Sequence, residues 1–245
     1  MRNSISFRLY GKYALFTDPI TKVGGEKCSY HLPTYEAIKG VLKSIYWKPT
    51  IIWHVDKIRV INPLRTQTKG IKPLVWNPSK NDAKSELAIY TFLHDVEYQV
   101  QAHFEWNMHH PELIADRNDG KHYNILQRTL EKGGRQDIFL DTRDCQGYVE
   151  PCQFGEGEGA FDAINELAFG LMFHGFDYPD ETGIEELHSR FWPATLKHGI
   201  LQFPRPNHFP CSEKKLVKRF VREMSRKEFG IDTNLLGVEM EEALL

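Results

Sequence analysis

The sequence predicts an α+β fold, and three observations predict it. Val96, Tyr98, Val100, Ala102, Phe104 and Trp106 alternate with Glu97, Gln99, Gln101, His103 and Glu105. That is the period of a strand with one core face and one polar face, as in an antiparallel sheet with one open side. Two other stretches, opening at Pro33-Thr34 and at Asn118-Asp119, repeat their apolar residues at helical spacing. Strand patterns separate them, in the order strand, helix, strand, extra hairpin, strand, helix, strand. This is the ferredoxin-like (RRM-like) order with an inserted β-hairpin arm.

At 245 residues the chain can hold one large domain or two small ones and can bury a real core. The 31 Lys and Arg against 33 Asp and Glu leave a net charge of -2. No global nucleic-acid signal follows, so a basic patch has to be local. Cys28, Cys145, Cys152 and Cys211 show neither a CxxC pair nor zinc-ligand spacing. They read as reduced thiols of a cytosolic protein. The N-terminal residues enter a strand pattern without an apolar signal core, and no run approaches the ~18 apolar residues of a membrane span. The expected location is cytoplasmic.

The first strand has Ile5, Phe7 and Leu9 facing in, is interrupted at Gly11-Lys12, and continues from Tyr13 to Phe16. The first helix buries Ala37, Ile38, Val41, Leu42 and Ile45; Tyr46 lies at the edge of that stripe, and Pro49 stops the helix. Gly40 in mid-helix costs on the order of 1 kcal/mol against alanine, which suggests a close backbone contact. Ile51 to Ile61 read as the second strand. The arm spans about 63–93, with Lys69-Gly70 at its tip and Leu87 to Leu93 returning. Arg65, Lys69, Lys72, Lys80 and Lys84 make it locally basic.

In the second helix Asn118 or Asp119 serves as N-cap, Ile125, Leu126, Thr129 and Leu130 face inward, and Gly133 ends it. Lys121 and His122 fall in its first turn, where free N–H groups and the positive dipole end favour an anion such as phosphate. The residues alone leave a second reading open: a surface lysine beside a histidine packed on the helix edge. Tyr46 alone likewise reads as a core aromatic at a helix edge. Ile138 to Leu140 give another short strand. The open sheet face carries Glu and Gln rather than the aromatics on which RNA-binding domains stack bases.

Beyond Gly147 a small antiparallel β domain is expected, over 147–211. Gly155 to Gly159 form an acidic loop, Leu167 to Phe176 a strand, and Phe191 to Leu196 pairs with Gly199 to Phe203. From Ser212 to the end, Leu216, Val217, Phe220, Val221 and Met224 face in against Lys and Arg outside. This predicts a basic amphipathic helix with an acidic tail over 212–245. The first domain is expected to be 1–146.

Three segments together resemble the CRISPR-associated Cas5 proteins of subtype I-C. They are Ser29-Tyr30-His31-Leu32-Pro33-Thr34 with Ala37, Gly40 and Ile45 to Pro49; Asp116-Arg117 with Lys121-His122, then Lys132 to Leu140 and Thr142-Arg143; and Leu171-Met172-Phe173-His174. The likeness runs from the first strand to about Phe203. It implies a ferredoxin-like domain with a hairpin arm plus a small β domain. It also implies an endoribonuclease that cuts CRISPR precursor RNA at the base of each repeat hairpin without a metal or other cofactor. Such proteins stay on the crRNA as a subunit of the interference complex, with Cas7-like backbone and large subunits as partners. Their catalytic positions fall here on Tyr46, Lys121 and His122. Metal-free RNA cleavage needs a base for the 2′-hydroxyl, charge stabilisation and an acid for the leaving 5′-oxygen. His122 suits base or acid and Lys121 the charge. Tyr46 either has its pKa lowered by a cation such as Lys121 or positions the 2′-hydroxyl. Arg65, Lys69, Lys72, Lys132, Arg135 and Arg143 are expected to line the RNA path. His109-His110 point apart and do not read as metal ligands. A non-cleaving subunit that holds the crRNA 5′ handle is the alternative.

Overall fold

The computed structural model describes residues 3–18, 21, 26–77, 82–85, 87–208 and 214–219. Their architecture is mixed α/β, with one ten-stranded sheet of antiparallel pairings. Its first strand, β1 (Ser4–Ala14), buries Ile5, Phe7 and Leu9 and turns Arg8 and Tyr10 outward. No interruption occurs at Gly11. A Cβ there would lie 2.6 Å from Leu140 Cδ1 and 2.8 Å from the Gln146 carbonyl. The glycine is thus what lets β1 pass unbroken beneath that turn.

Helix α1 (Tyr35–Ile45) starts at Thr34, whose Oγ1 accepts the Ala37 N–H at 3.1 Å. Ile38, Val41, Leu42 and Ile45 are buried. Gly40 does not mark a close approach: it is exposed, and a Cβ would meet nothing within 4 Å. Strand β2 (Ile51–Val60) follows, then β3 (Thr66–Ile71), β4 (Leu74–Asn77), β5 (Asp82–Ser85) and the long β6 (Ala88–Trp106). The two strands expected over 87–106 are one, with Asp95 at φ 51° in its middle. Its first part pairs with β3, and the remainder lies between β1 and β2. Lys69-Gly70 is therefore not a tip; it pairs with Tyr90 and Ile89 inside β3, while β4 and β5 pair with each other further on.

Helix α2 (Asp119–Glu131) is followed by β7 (Ile138–Phe139) and β8 (Gln146–Pro151). Across the sheet centre the order is β2-β6-β1-β8. Leu126 and Leu130 of α2 join the apolar stripe of α1 and the inward residues of β1, β2 and β6 in one buried cluster. The expected boundary after Gln146 falls inside β8, which pairs with β1.

The second half adds β9 (Leu167–Asp177), the one-turn α3 (Pro179–Thr182), β10 (Glu186–Lys197), β11 (Ile200–Gln202) and β12 (Lys214–Arg219). Strand β11 pairs with β2, so these strands extend the same sheet, and Met172, Trp192, Ala194, Leu196 and Leu201 belong to the same buried cluster. The expected helix from Ser212 is corrected at 214–219, which pair as a strand with β10. A short apolar pair flanked by lysines fits either period, and the free edge of β10 decides it. The rest of that expected helix lies outside the described residues.

The polar sheet face is partly covered. Arg59 donates to the carbonyls of Glu156 at 3.1 Å and Gly157 at 2.8 Å, and Gln99 to that of Glu156 at 2.6 Å. Asp162 holds Arg59 Nε at 3.1 Å and the Gly159 N–H at 2.8 Å. The acidic glycine loop is thus a lid over buried Arg59 and Gln99, which satisfies their polar atoms. Among the described residues no helix is long and apolar enough to cross a membrane.

Candidate active site

The chain leaves α1 at Tyr46, which is extended (φ -159°, ψ 128°) yet still donates its N–H to Leu42 at 2.9 Å. Its carbonyl accepts Trp53 Nε1 at 2.8 Å. Both backbone groups are therefore held, and the ring is fixed in the core at 2% exposure. The other half of the site is the entry to α2. A 3-10 turn at Pro111–Asp116 precedes it, and Arg117 Nη2 secures that turn on the carbonyls of Asn107 at 3.0 Å and His110 at 3.1 Å. Asn118 caps α2 by accepting the Lys121 N–H at 3.0 Å.

These two ends meet. Tyr46 Oη lies 2.8 Å from His122 Nδ1, and His122 Nε2 lies 2.7 Å from the Asp116 carbonyl oxygen. A carbonyl only accepts, so Nε2 carries the proton; Nδ1 is then free to accept from the Tyr46 hydroxyl. His122 is fully buried, with Trp106 edge-on at 5.4 Å between ring centroids. Lys121 is the member that faces solvent, with half its side chain exposed. Its ammonium donates to Asp116 Oδ1, and Thr50 Oγ1 donates to Asp116 Oδ2 at 2.7 Å. Those two donors, Lys121 first, hold the Asp116 carboxyl below its usual range.

Burial pushes the Tyr46 hydroxyl up, and Asp116 adds to the rise, while Arg135 opposes it. This corrects one expectation. Lys121 does not lower the tyrosine; it is engaged with Asp116, and the opposing cation is Arg135. In this arrangement Tyr46 is a neutral donor to His122 rather than a phenolate.

A family model described as CRISPR-associated protein (Cas_Cas5) matches residues 4–204. The chain belongs to the Cas5d family. The CRISPR pre-crRNA endoribonuclease Cas5d of Mannheimia succiniciproducens is 30% identical over 231 residues, covering 83% of this chain and 96% of that protein. The protein of the same name from Thermus thermophilus is 28% identical over 224 residues, covering 82% and 91%. A crystal structure described as a CRISPR-associated protein is similar at TM-score 0.70 and 30% identity, covering 84% of this chain and 93% of the other. A functionally uncharacterized protein from Streptococcus mutans is similar at TM-score 0.69 and 32% identity, covering 84% and 94%. The Cas5d match ends before β12.

Of the six cations expected along an RNA path, Arg65, Lys72, Lys132, Arg135 and Arg143 are exposed. Lys69 is half-buried instead, its ammonium 3.3 Å from the Tyr13 ring centroid. Lys132 and Arg135 line one cleft at the end of α2, whereas Arg143 lines another with Lys27 beside α1. Among the described residues no group of three or more His, Cys, Asp or Glu is placed to hold a metal ion. Sequence reasoning missed Asp116 and Thr50. Asp116 stood in the family motif, but nothing in its spacing announced that its carboxylate and carbonyl would hold Lys121 and His122 at once.

Proposed function

We propose that this Cas5d-family chain is a metal-independent endoribonuclease that cuts CRISPR precursor RNA at the base of each repeat hairpin. It then keeps the crRNA as a subunit of a type I-C interference complex, beside Cas7-like backbone and large subunits. The observation that carries the reading is the 2.8 Å contact between Tyr46 Oη and His122 Nδ1, with Lys121 at the rim. The endoribonuclease names of the two curated relatives support it, as does the β2-β6-β1-β8 order, which we read as a ferredoxin-like domain. The strands after β8 are read as the small β domain.

The chemistry follows from the tautomer. The substrate 2′-hydroxyl passes its proton to Tyr46 Oη as Tyr46 passes its own to His122 Nδ1. The freed 2′-oxygen attacks phosphorus and the bond to the 5′-oxygen breaks. The products are a 2′,3′-cyclic phosphate and a 5′-hydroxyl, the latter taking its proton from solvent. Lys121 turns from Asp116 to the phosphate and balances its growing charge, the kind of electrostatic stabilisation that is often the largest single contribution. Asp116 keeps His122 in the accepting tautomer through its carbonyl.

The burial of Tyr46 and His122 favours one rival, a closed site in a subunit that only holds the crRNA 5′ handle. Incubating the protein with repeat RNA in EDTA separates the two. Cleavage that persists and leaves a cyclic phosphate supports the endonuclease. Tight binding with intact RNA supports the handle-binding subunit.

A further inference from the structure

Two clefts share Arg135 and Gln136, and the first of them begins where the chain leaves Tyr46. One lies between the end of α1 and the loop after α2, lined by Trp47, Lys48, Arg135 and Gln136. The other continues from Arg135 and Gln136 past Lys132 to Tyr148 on β8. The floor is built rather than incidental. Arg135 and Gln136 both donate their N–H to the Ser44 carbonyl, at 3.1 and 3.0 Å, tying this loop to the last turn of α1. Gly134, at φ 109°, makes the bend that brings the loop there.

Each end of this track carries an exposed aromatic. Trp47, the residue after Tyr46, is 43% exposed, and Tyr148 is 54% exposed. A single exposed apolar side chain is ordinary on a protein surface. What sets these two rings apart is that they line joined clefts in which Lys43, Lys48, Lys132 and Arg135 outnumber the one acid, Asp137. Tyr148 is already braced: it stacks on Tyr10 at 5.6 Å, and the Arg8 guanidinium sits 4.6 Å from the Tyr10 ring centroid. Aromatic platforms spaced along a cationic groove are what unpaired nucleotides require, since every base has a face to stack and every linkage a charge to neutralise.

We propose that the groove from Trp47 over Arg135 to Tyr148 holds a single-stranded flank of the RNA, with one base stacked on each aromatic. The proposal rests on the RNA-processing reading of the adjacent site and extends it from the cut to the unpaired strand leaving it. Lys48, Lys132 and Arg135 meet the phosphates between the two rings.

The test measures dissociation constants for two RNAs, a repeat hairpin with its single-stranded flanks and the same hairpin trimmed to its stem. Both carry a 2′-deoxy nucleotide before the cut. Trp47→Ala and Tyr148→Ala should each weaken the flanked RNA by about 5- to 150-fold, the range of one base stack, and leave the stem unchanged. Trp47→Phe and Tyr148→Phe should retain most of the affinity. Abasic flank nucleotides should reproduce the loss in the native protein and add nothing in the alanine variants. Equal losses on both RNAs, or none, would overturn the proposal, as would losses that add to those of abasic flanks. A parallel assay of the native protein on all-ribose RNA keeps the two readings apart. Cutting without flank-specific losses removes the groove and leaves the endonuclease; flank-specific losses without cutting do the reverse.

Discussion

Tyr46 and His122 stand 76 positions apart in sequence and 2.8 Å apart in the fold. Removing one oxygen tests the pair with little change in volume. Tyr46→Phe should lower the single-turnover rate by about 10²–10⁴, the range for a positioned proton-transfer group, with binding of uncut repeat RNA unchanged. Lys121→Ala should lower it by about 10²–10³ as a lost charge-stabilising donor, again without weakening binding. A tyrosine substitution that leaves the rate intact would remove the relay. The helix cap, the first-turn placement of Lys121 and His122 and the end of α1 were all legible, because capping and proline chemistry are local. That Tyr46 would meet His122 was not; the residues read singly left both as packed side chains, and only the resemblance joined them. Asp116 was illegible for a different reason: Lys121 and His122 lie only five and six positions on, but they meet it through the 3-10 turn before α2, which no spacing rule announces, and only its Thr50 partner is distant in sequence.

Within single elements, periodicity succeeded where a segment was long and one face was buried. The 96–106 alternation and the α1 stripe are of that kind. It failed for β8, whose Gln146–Pro151 offers only Gly147 and Val149 to the core, and for 214–219, where an unpaired edge outweighs helical spacing. Gly40 is a further instance: mid-helix glycine suggested a tight contact, and the site is open. Gly40→Ala should therefore stabilise the protein by about 1 kcal/mol through helix propensity, read as a higher denaturant midpoint. A loss of stability would mean that something does close on that face.

Across the whole molecule His174 is one of the places where the second half packs on the first, beside the β11–β2 pairing. This β9 side chain is fully buried, stacked on Tyr35 of α1 at 4.3 Å, with Arg190 Nε donating to its Nδ1 at 3.3 Å. Burial, and then Arg190, push its pKa down from 6.5 to about 2, although its hydrogen bond to the Pro204 carbonyl opposes the shift. Below pH ~6.5 the unfolded chain gains a proton that the folded chain refuses. Stability should then fall by up to about 1.4 kcal/mol per pH unit from this group as pH drops from 6.5 towards 2. Equilibrium unfolding across that range should show the decline, and His174→Phe should flatten it; an unchanged slope in the variant would place the acid sensitivity elsewhere. Helix α1 begins at Tyr35, on which His174 stacks, and is capped at its other end by Tyr46. What we propose for the chemistry is that the buried Tyr46–His122 pair takes a proton from the RNA's own 2′-hydroxyl. One substrate tests it most directly, a repeat RNA with a single 2′-deoxy nucleotide just upstream of the cut, compared in EDTA with its all-ribose parent. The parent should be cut to a 2′,3′-cyclic phosphate while the deoxy RNA stays bound and intact; cutting of the deoxy RNA at the parent's rate would contradict the account.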